Sequence, residues 1–388
     1  MKTINNTLFP LIILCGILFM ISCNSPKKEG IEHVVYMKSD DVLLQSPFIE
    51  QIKWIFLETT EGSLIGSVPE LRVTDRNIYL IDKGWRSSNQ IHRFNHSGKF
   101  LNTIGSVGRG PNEYLGIADV AILKNGNIEL FSPPGITRYL FSEEGLCLER
   151  KEYEHNAQKV ARQDGTYWIY KGYGNGDRPE RLIRIDTLGV ELGGYLPSEA
   201  KVLSIGEQWS VFTQNNGRLF LRESMNAYVY ELSAKSVDPV YWFDFGVLNV
   251  PKEYYEFGDP FAAIGLLEKR PYITIDAFME NNKYAVVQAT VQREEAPRMI
   301  IGIKEKQARS NKWHWFDCLY NCQQGGTNAL FFANLVLTDN SKLYCAIEAE
   351  RVLALDASLK ASLFPNGELD NVREDDNHII LVIQLKSK

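Results

Sequence analysis

Six segments of the chain repeat one device: an apolar run, a tight polar turn, then a second apolar run. Five are Val120–Leu130 (VAILKNGNIEL), Lys159–Ile169 (KVARQDGTYWI), Val211–Leu221 (VFTQNNGRLFL), Ala277–Val287 (AFMENNKYAVV) and Leu335–Cys345 (LVLTDNSKLYC). A looser sixth is Pro69–Ile81 (PELRVTDRNIYLI). Asn-Gly and Asp-Gly favour hairpins because their residues tolerate positive φ. Successive copies lie roughly 40 to 65 residues apart, the length of one four-stranded propeller blade. Blade 1 reads almost completely, with strands near Leu71–Thr74, Ile78–Asp82, Gln90–Phe94 and Lys99–Ile104, the last two joined by Asn95-His96-Ser97-Gly98. Two stacked β-sandwiches are the alternative, and a repeated hairpin with a lengthy outer pair argues against them. No stretch between residues 31 and 340 has convincing helical periodicity, whereas Glu348–Leu363 (EAERVLALDASLKASL) reads as a short helix. Pairing Gln51–Glu58 with the final run His378–Leu385 closes the ring and leaves no free sheet edge. The expected fold is an all-β, six-bladed β-propeller over residues 49–388, latched by its terminal strands, with a helical insertion in the last blade.

Residues Leu8 to Ser22 form an apolar run after a single Lys2. At about 15 residues it is short for a bilayer-spanning helix, which needs ~20, and it fits the core of a secretory signal peptide over residues 1–22. Met20-Ile21-Ser22-Cys23 resembles a bacterial lipobox, with Met where Leu is usual. That resemblance implies acylation of Cys23, a tether over residues 23–48 and an outer-membrane destination, since Asn24 is not the Asp that retains lipoproteins in the inner membrane. An ordinary signal peptide with an incidental Cys23 is the alternative. The composition, 44% hydrophobic and 23% charged, excludes a disordered or fibrous chain. A net charge of −6 without a Lys/Arg-rich run argues against a nucleic-acid partner.

Leu57-Glu58-Thr59-Thr60, Phe94-Asn95-His96-Ser97-Gly98-Lys99-Phe100 and the loop Ile104-Gly105-Ser106-Val107-Gly108-Arg109-Gly110-Pro111-Asn112-Glu113-Tyr114 carry a further likeness, as does Asp375-Asp376-Asn377-His378, where His378 stands in place of the usual Pro. In these motifs the chain resembles the six-bladed, NHL-like propeller lipoproteins of Bacteroides-type gut anaerobes. The motifs lie in turns and blade junctions, so they speak to architecture and hardly to chemistry.

The chain has no Gly-x-Ser-x-Gly elbow, His-Glu-x-x-His pair, phosphate loop or EF-hand loop. His314, Cys318 and Cys322 recur every fourth residue and would align on a helix, but Trp313-His314-Trp315-Phe316 alternates like a strand, so no metal site is assigned. Cys318 and Cys322 read equally as free or bridged thiols. No cofactor is expected. Adjacent acids such as Glu143-Glu144 and Asp375-Asp376 read as solvated turns.

In a propeller blade the first-to-second and third-to-fourth connections share one face, here built of tight turns. The remaining connections share the other, and most of the longer, aromatic loops fall there. That face supplies the candidate ligand-binding residues Trp85, Arg86, Arg109, Tyr173, Asp177, Arg178, Tyr254 and Tyr255. Guanidinium forks pair with anionic oxygens, and aromatic rings offer apolar faces with polar tips. Arg109 reads equally well as a bridge between blades 1 and 2. The family resemblance and the loop asymmetry together imply a lipid-anchored, non-catalytic propeller that binds a glycan or an envelope protein. A glycan lyase or hydrolase working at the central channel, and a purely structural envelope scaffold, are the alternatives.

Overall fold

Each of the six tight turns opens a sheet of four antiparallel strands. The computed structural model describes residues 30–39, 41–66, 70–83, 88–173, 179–198, 211–292, 298–308, 312–318 and 335–386. Two strands come first, β1 (Glu32–Val35) and β2 (Ile49–Phe56). Blade 1 is β3 (Glu70–Val73), β4 (Asn77–Asp82), β5 (Gln90–Asn95) and β6 (Phe100–Thr103). Blade 2 is β7 (Asp119–Ile122), β8 (Ile128–Ser132), β9 (Ile136–Phe141) and β10 (Cys147–Tyr153). Blade 3 is β11 (Lys159–Gln163), β12 (Thr166–Tyr170), β13 (Glu180–Asp186) and β14 (Glu191–Pro197). Blade 4 is β15 (Phe212–Asn215), β16 (Arg218–Arg222), β17 (Tyr228–Leu232) and β18 (Val237–Asp244). Blade 5 is β19 (Tyr272–Glu280), β20 (Tyr284–Gln292), β21 (Arg298–Glu305) and β22 (Trp313–Asp317). Blade 6 combines β23 (Val336–Leu337), β24 (Lys342–Ile347) and β25 (Ile379–Leu385) with β2 as its outermost strand. The ring is therefore a six-bladed propeller closed by pairing of its first and last blade strands, and the four strands of blade 1 end within one residue of the expected ranges.

Local chemistry sets the turns. Asp164-Gly165 and Asn216-Gly217 take φ of 47°, 72°, 49° and 76°, the left-handed pair that a two-residue hairpin needs. The core lies between blades. All six residues of β4 are buried, because alternate side chains face opposite neighbours. Ile78 and Leu80 pack with Tyr344, Ile380 and Val382 of blade 6, while Tyr79 and Ile81 pack with Val120, Ile128 and Leu130 of blade 2.

Two devices lock the closure. Gly98, at φ +86°, turns blade 1 against β2, where an added Cβ would stand 2.0 Å from the Phe56 carbonyl oxygen. Asn377 enters β25 with its amide donating to the carbonyls of Glu58 (2.9 Å) and Ser63 (2.8 Å), and its side-chain oxygen accepts from Ile65 N–H (3.1 Å).

Three features differ from the sequence reading. From residue 30 the expected tether is a strap around the rim. β1 pairs in parallel with β18 of blade 4, Val42 bridges to Asp317 of blade 5, and the chain then enters β2 of blade 6. A helix, α1 (Pro260–Leu267, PFAAIGLL), lies in the long connection between blades 4 and 5. Its residues are apolar on all sides, so no polar face revealed its period. The blade-6 insertion is two helices, α2 (Ala349–Leu353) and α3 (Ala357–Leu363), because Asp356 starts a new one by accepting from Leu359 N–H at 2.8 Å.

Candidate functional site

Strand directions divide the connections as the sequence suggested. The innermost strands β3, β7, β11, β15, β19 and β23 run from the long-loop face to the tight-turn face. The blade-6 helices lie in a second-to-third connection and so belong to the long-loop face.

Three polar clusters sit at that end of the molecule. The first centres on Glu223, fully buried just beyond β16. Arg181 of β13 reaches it with Nε to Oε1 at 2.9 Å and Nη2 to Oε2 at 3.0 Å. Tyr170 (3.0 Å), Tyr173 (3.4 Å) and Asn226 (2.9 Å) also donate to the carboxylate. The Arg181 guanidinium lies over the Tyr173 ring, 4.5 Å from its centroid, and Tyr255 packs 5.6 Å from the same ring. Burial and then the Glu223 charge push the Tyr173 hydroxyl well above its ordinary value, which keeps it a donor. With its oxygens filled by protein donors, Glu223 is the hub of the seam between blades 3 and 4.

The second cluster lies where innermost strands begin. Glu70, Asp119 and Lys159 are the first residues of β3, β7 and β11. Lys83 pairs with Glu70 at 2.7 Å, and Arg72 reaches Glu70 at 3.3 Å and Asp119 at 3.0 Å. Burial alone would raise the Glu70 carboxyl, but the neighbouring Lys83 and Arg72 charges outweigh it and hold the group at about 2. Burial, reinforced by the Lys83 charge, brings the Lys159 amine down to about 8. Arg72, Lys83 and Lys159 thus lie against Glu70 and Asp119.

The third cluster caps the seam between blades 6 and 1. His92 is 1% and His378 5% exposed, and neither His92 ring nitrogen nor Nε2 of His378 has a hydrogen-bond partner. Burial lowers both, His378 to about 4, with Asp82 opposing the shift at both rings and Glu348 at His378.

Tyr173, Tyr254 and Tyr255 converge, as members or partners of one cluster with Ala263 and Leu267 of α1. They point inward: Tyr173 is 9% and Tyr254 3% exposed, and the Tyr255 hydroxyl donates to the Met225 carbonyl. Arg109 stands apart and exposed, making no hydrogen bond or ion pair with any described residue. Its loop is instead pinned by Glu113, which accepts from Gly110 N–H at 2.7 Å, and by buried Tyr114. Trp85, Arg86, Asp177, Arg178, Cys23 and Cys322 lie outside the described residues. Cys318 is a buried free thiol following β22, a strand that leaves His314 exposed. No group of three metal-ligating side chains occurs among the described residues. Glu223 and Arg181 were not evident in the sequence; the available signal was charge at the edge of an apolar run, as in LFLRES and ERLI.

This chain belongs to a family described as a domain of unknown function, DUF4934, whose profile matches residues 30–384. Its fold is similar to that of a protein described as exported from Bacteroides fragilis NCTC 9343, with 16% identity, 92% of this chain and 100% of that chain covered, and a TM-score of 0.72. More distant matches are a protein of unknown function from Bacteroides caccae (12% identity, 66% and 83% covered, TM-score 0.40) and BamB from Moraxella catarrhalis (9%, 87% and 100%, 0.40). No curated protein matches the sequence significantly.

Proposed function

We propose that this member of the DUF4934 family is an exported, lipid-anchored propeller that binds a glycan, preferably an acidic one, on its long-loop face without catalysing a reaction. The observation that supports this reading is the polar cluster where the innermost strands begin, in which the partly exposed Arg72 and Lys83 and the buried Lys159 stand against Glu70 and Asp119. The exposed Arg109 guanidinium on the same face adds a fork suited to a carboxylate. The hub around Glu223 argues against acid–base chemistry there, because its lone pairs are already taken.

Export fits the apolar leader and the exported Bacteroides protein of similar fold. Anchoring at Cys23 would also orient the ring. β1 runs parallel to β18, which starts at a tight turn, so the chain reaches Glu32 from the tight-turn side. The nine residue steps from Cys23 to Glu32 reach roughly 30 Å at most, which would hold the rim near the membrane and leave the long-loop face outward. Incorporation of a palmitate analogue that persists in Cys23→Ala would remove the anchor from the proposal.

The binding test is thermal unfolding with a panel of neutral and acidic glycans. A ligand at 100 times its dissociation constant stabilises the fold by about 2.7 kcal/mol. The expected result is a shift with acidic members that is lost in Arg109→Ala or Lys83→Gln. A flat response across the panel would replace the glycan with a protein partner.

A further inference from the structure

A groove of about 370 Å³ opens where blades 5 and 6 meet the strap, and its lining includes Phe48, Tyr284, Glu305, Lys312, His314 and Lys386. Its walls are fixed. The Tyr284 hydroxyl donates to the Lys386 carbonyl at 2.7 Å, and Lys386 N–H donates to the Phe48 carbonyl at 2.9 Å. The Phe48 ring meets the edge of His314 with centroids 5.1 Å apart. Strand direction places the groove on the tight-turn face: Tyr284 begins β20, Glu305 ends β21, His314 lies near the start of β22, and Lys386 follows β25.

The cations on this lining differ from the molecule's buried and half-buried arginines. Arg72, Arg138, Arg162, Arg181, Arg218 and Arg298 each pair with a carboxylate. Even Lys306, in the turn that leads toward the groove, is held by Glu280. Lys312 and Lys386 are exposed and pair with no described residue, although they line one groove with a single carboxylate, Glu305.

We propose that this groove binds an oxyanion, a phosphate or carboxylate carried on a body with an apolar face. The two ammonium groups take the charge, His314 supplies a ring nitrogen, and the Phe48 and Tyr284 rings pack against the body. The site lies on the opposite face from the glycan surface proposed above and is independent of it. Two sources share the chemistry: a free sugar acid, and the phosphate of an anionic lipid headgroup.

The test uses protein from residue 24 onward, which keeps every described residue. Sodium glucuronate and inorganic phosphate are titrated by calorimetry, and phosphatidylglycerol vesicles are compared with phosphatidylcholine vesicles by co-sedimentation. At least one anionic probe should bind, with affinity falling at least tenfold in Lys312→Ala/Lys386→Ala and rising severalfold in Glu305→Gln. Glucuronate binding assigns the site to a sugar acid, and binding confined to phosphatidylglycerol or phosphate assigns it to a headgroup. Lys312 and Lys386 are exposed and Glu305 is half-buried, so none of these substitutions opens the core. Failure of every anionic probe, or binding retained in the double variant, overturns the proposal. Loss of binding in Arg109→Ala would also overturn it, by moving the site to the other face.

Discussion

The seam between blades 3 and 4 and the seam between blades 6 and 1 both bury polar groups beneath the long loops, but with opposite chemistry. At the first, Glu223 and Arg181 form a buried ion pair whose remaining lone pairs are filled by Tyr170, Tyr173 and Asn226. At the second, an amide and two uncharged imidazoles stand where the chain closes on itself. A buried ion pair is costly to break from one side, because the partner charge is left unpaired. A buried histidine is costly only when acid forces a proton on it. One seam is therefore sensitive to mutation and the other to pH.

The largest expected effect falls on the charged seam. Glu223→Ala should lower the urea-unfolding free energy by about 3–5 kcal/mol, because Arg181 keeps its charge in a buried site. A cost below about 1 kcal/mol would show that the hub is dispensable to the fold and available to a ligand.

Acid should reverse the ranking. An unfolded histidine binds its proton near 6.5 while folded His378 resists until about 4, so the unfolded state holds more protons in that window. Stability is then complete above about 6.5 and falls as pH drops, by about 3 kcal/mol at pH 4 from His378 alone. His92 acts in the same direction. Urea midpoints from pH 7.5 to 4 should show this loss in the wild type and much less in His378→Phe. Glu70, held at about 2, contributes stability that is lost only as pH falls below its ordinary 4.5. A decline confined to that lower range would point to Glu70 and clear the histidines.

Asn377→Ala should cost about 2 kcal/mol, since carbonyls of the closing segment lose their donor. The smallest effect belongs to Arg109→Ala. An exposed side chain without partners should change stability by less than about 0.5 kcal/mol, so any loss of glycan binding there reports contact and not folding.

The ring was legible because its determinants are local. Asn-Gly and Asp-Gly turns sit at a blade's spacing, and His378–Leu385 and Gln51–Glu58 were unmatched strands that a closed sheet requires. α1 escaped because PFAAIGLL lacks a polar face, and β1 because four residues (EHVV) carry too little pattern. The hub escaped for a different reason. Arg181 and Glu223 are far apart in the chain, and only the packing of blade 3 on blade 4 makes them neighbours. Tyr173, Tyr254 and Tyr255 were chosen as aromatic loop residues, a signal that cannot distinguish a ring offered to solvent from one folded beneath a helix.

The strap also sets an order of events. β1 pairs with residues some two hundred positions downstream, and β2 with residues more than three hundred downstream. Contacts of that separation are slow to find, because the intervening chain must be gathered first. The segment made earliest is thus the last to be seated. Until β25 emerges, β2 has no partner, and the apolar side chains Ile52, Trp54 and Phe56 wait uncovered. Exposed edges of this kind invite aggregation, so the hazardous interval in this protein's life runs from the appearance of its first strands to the arrival of its last.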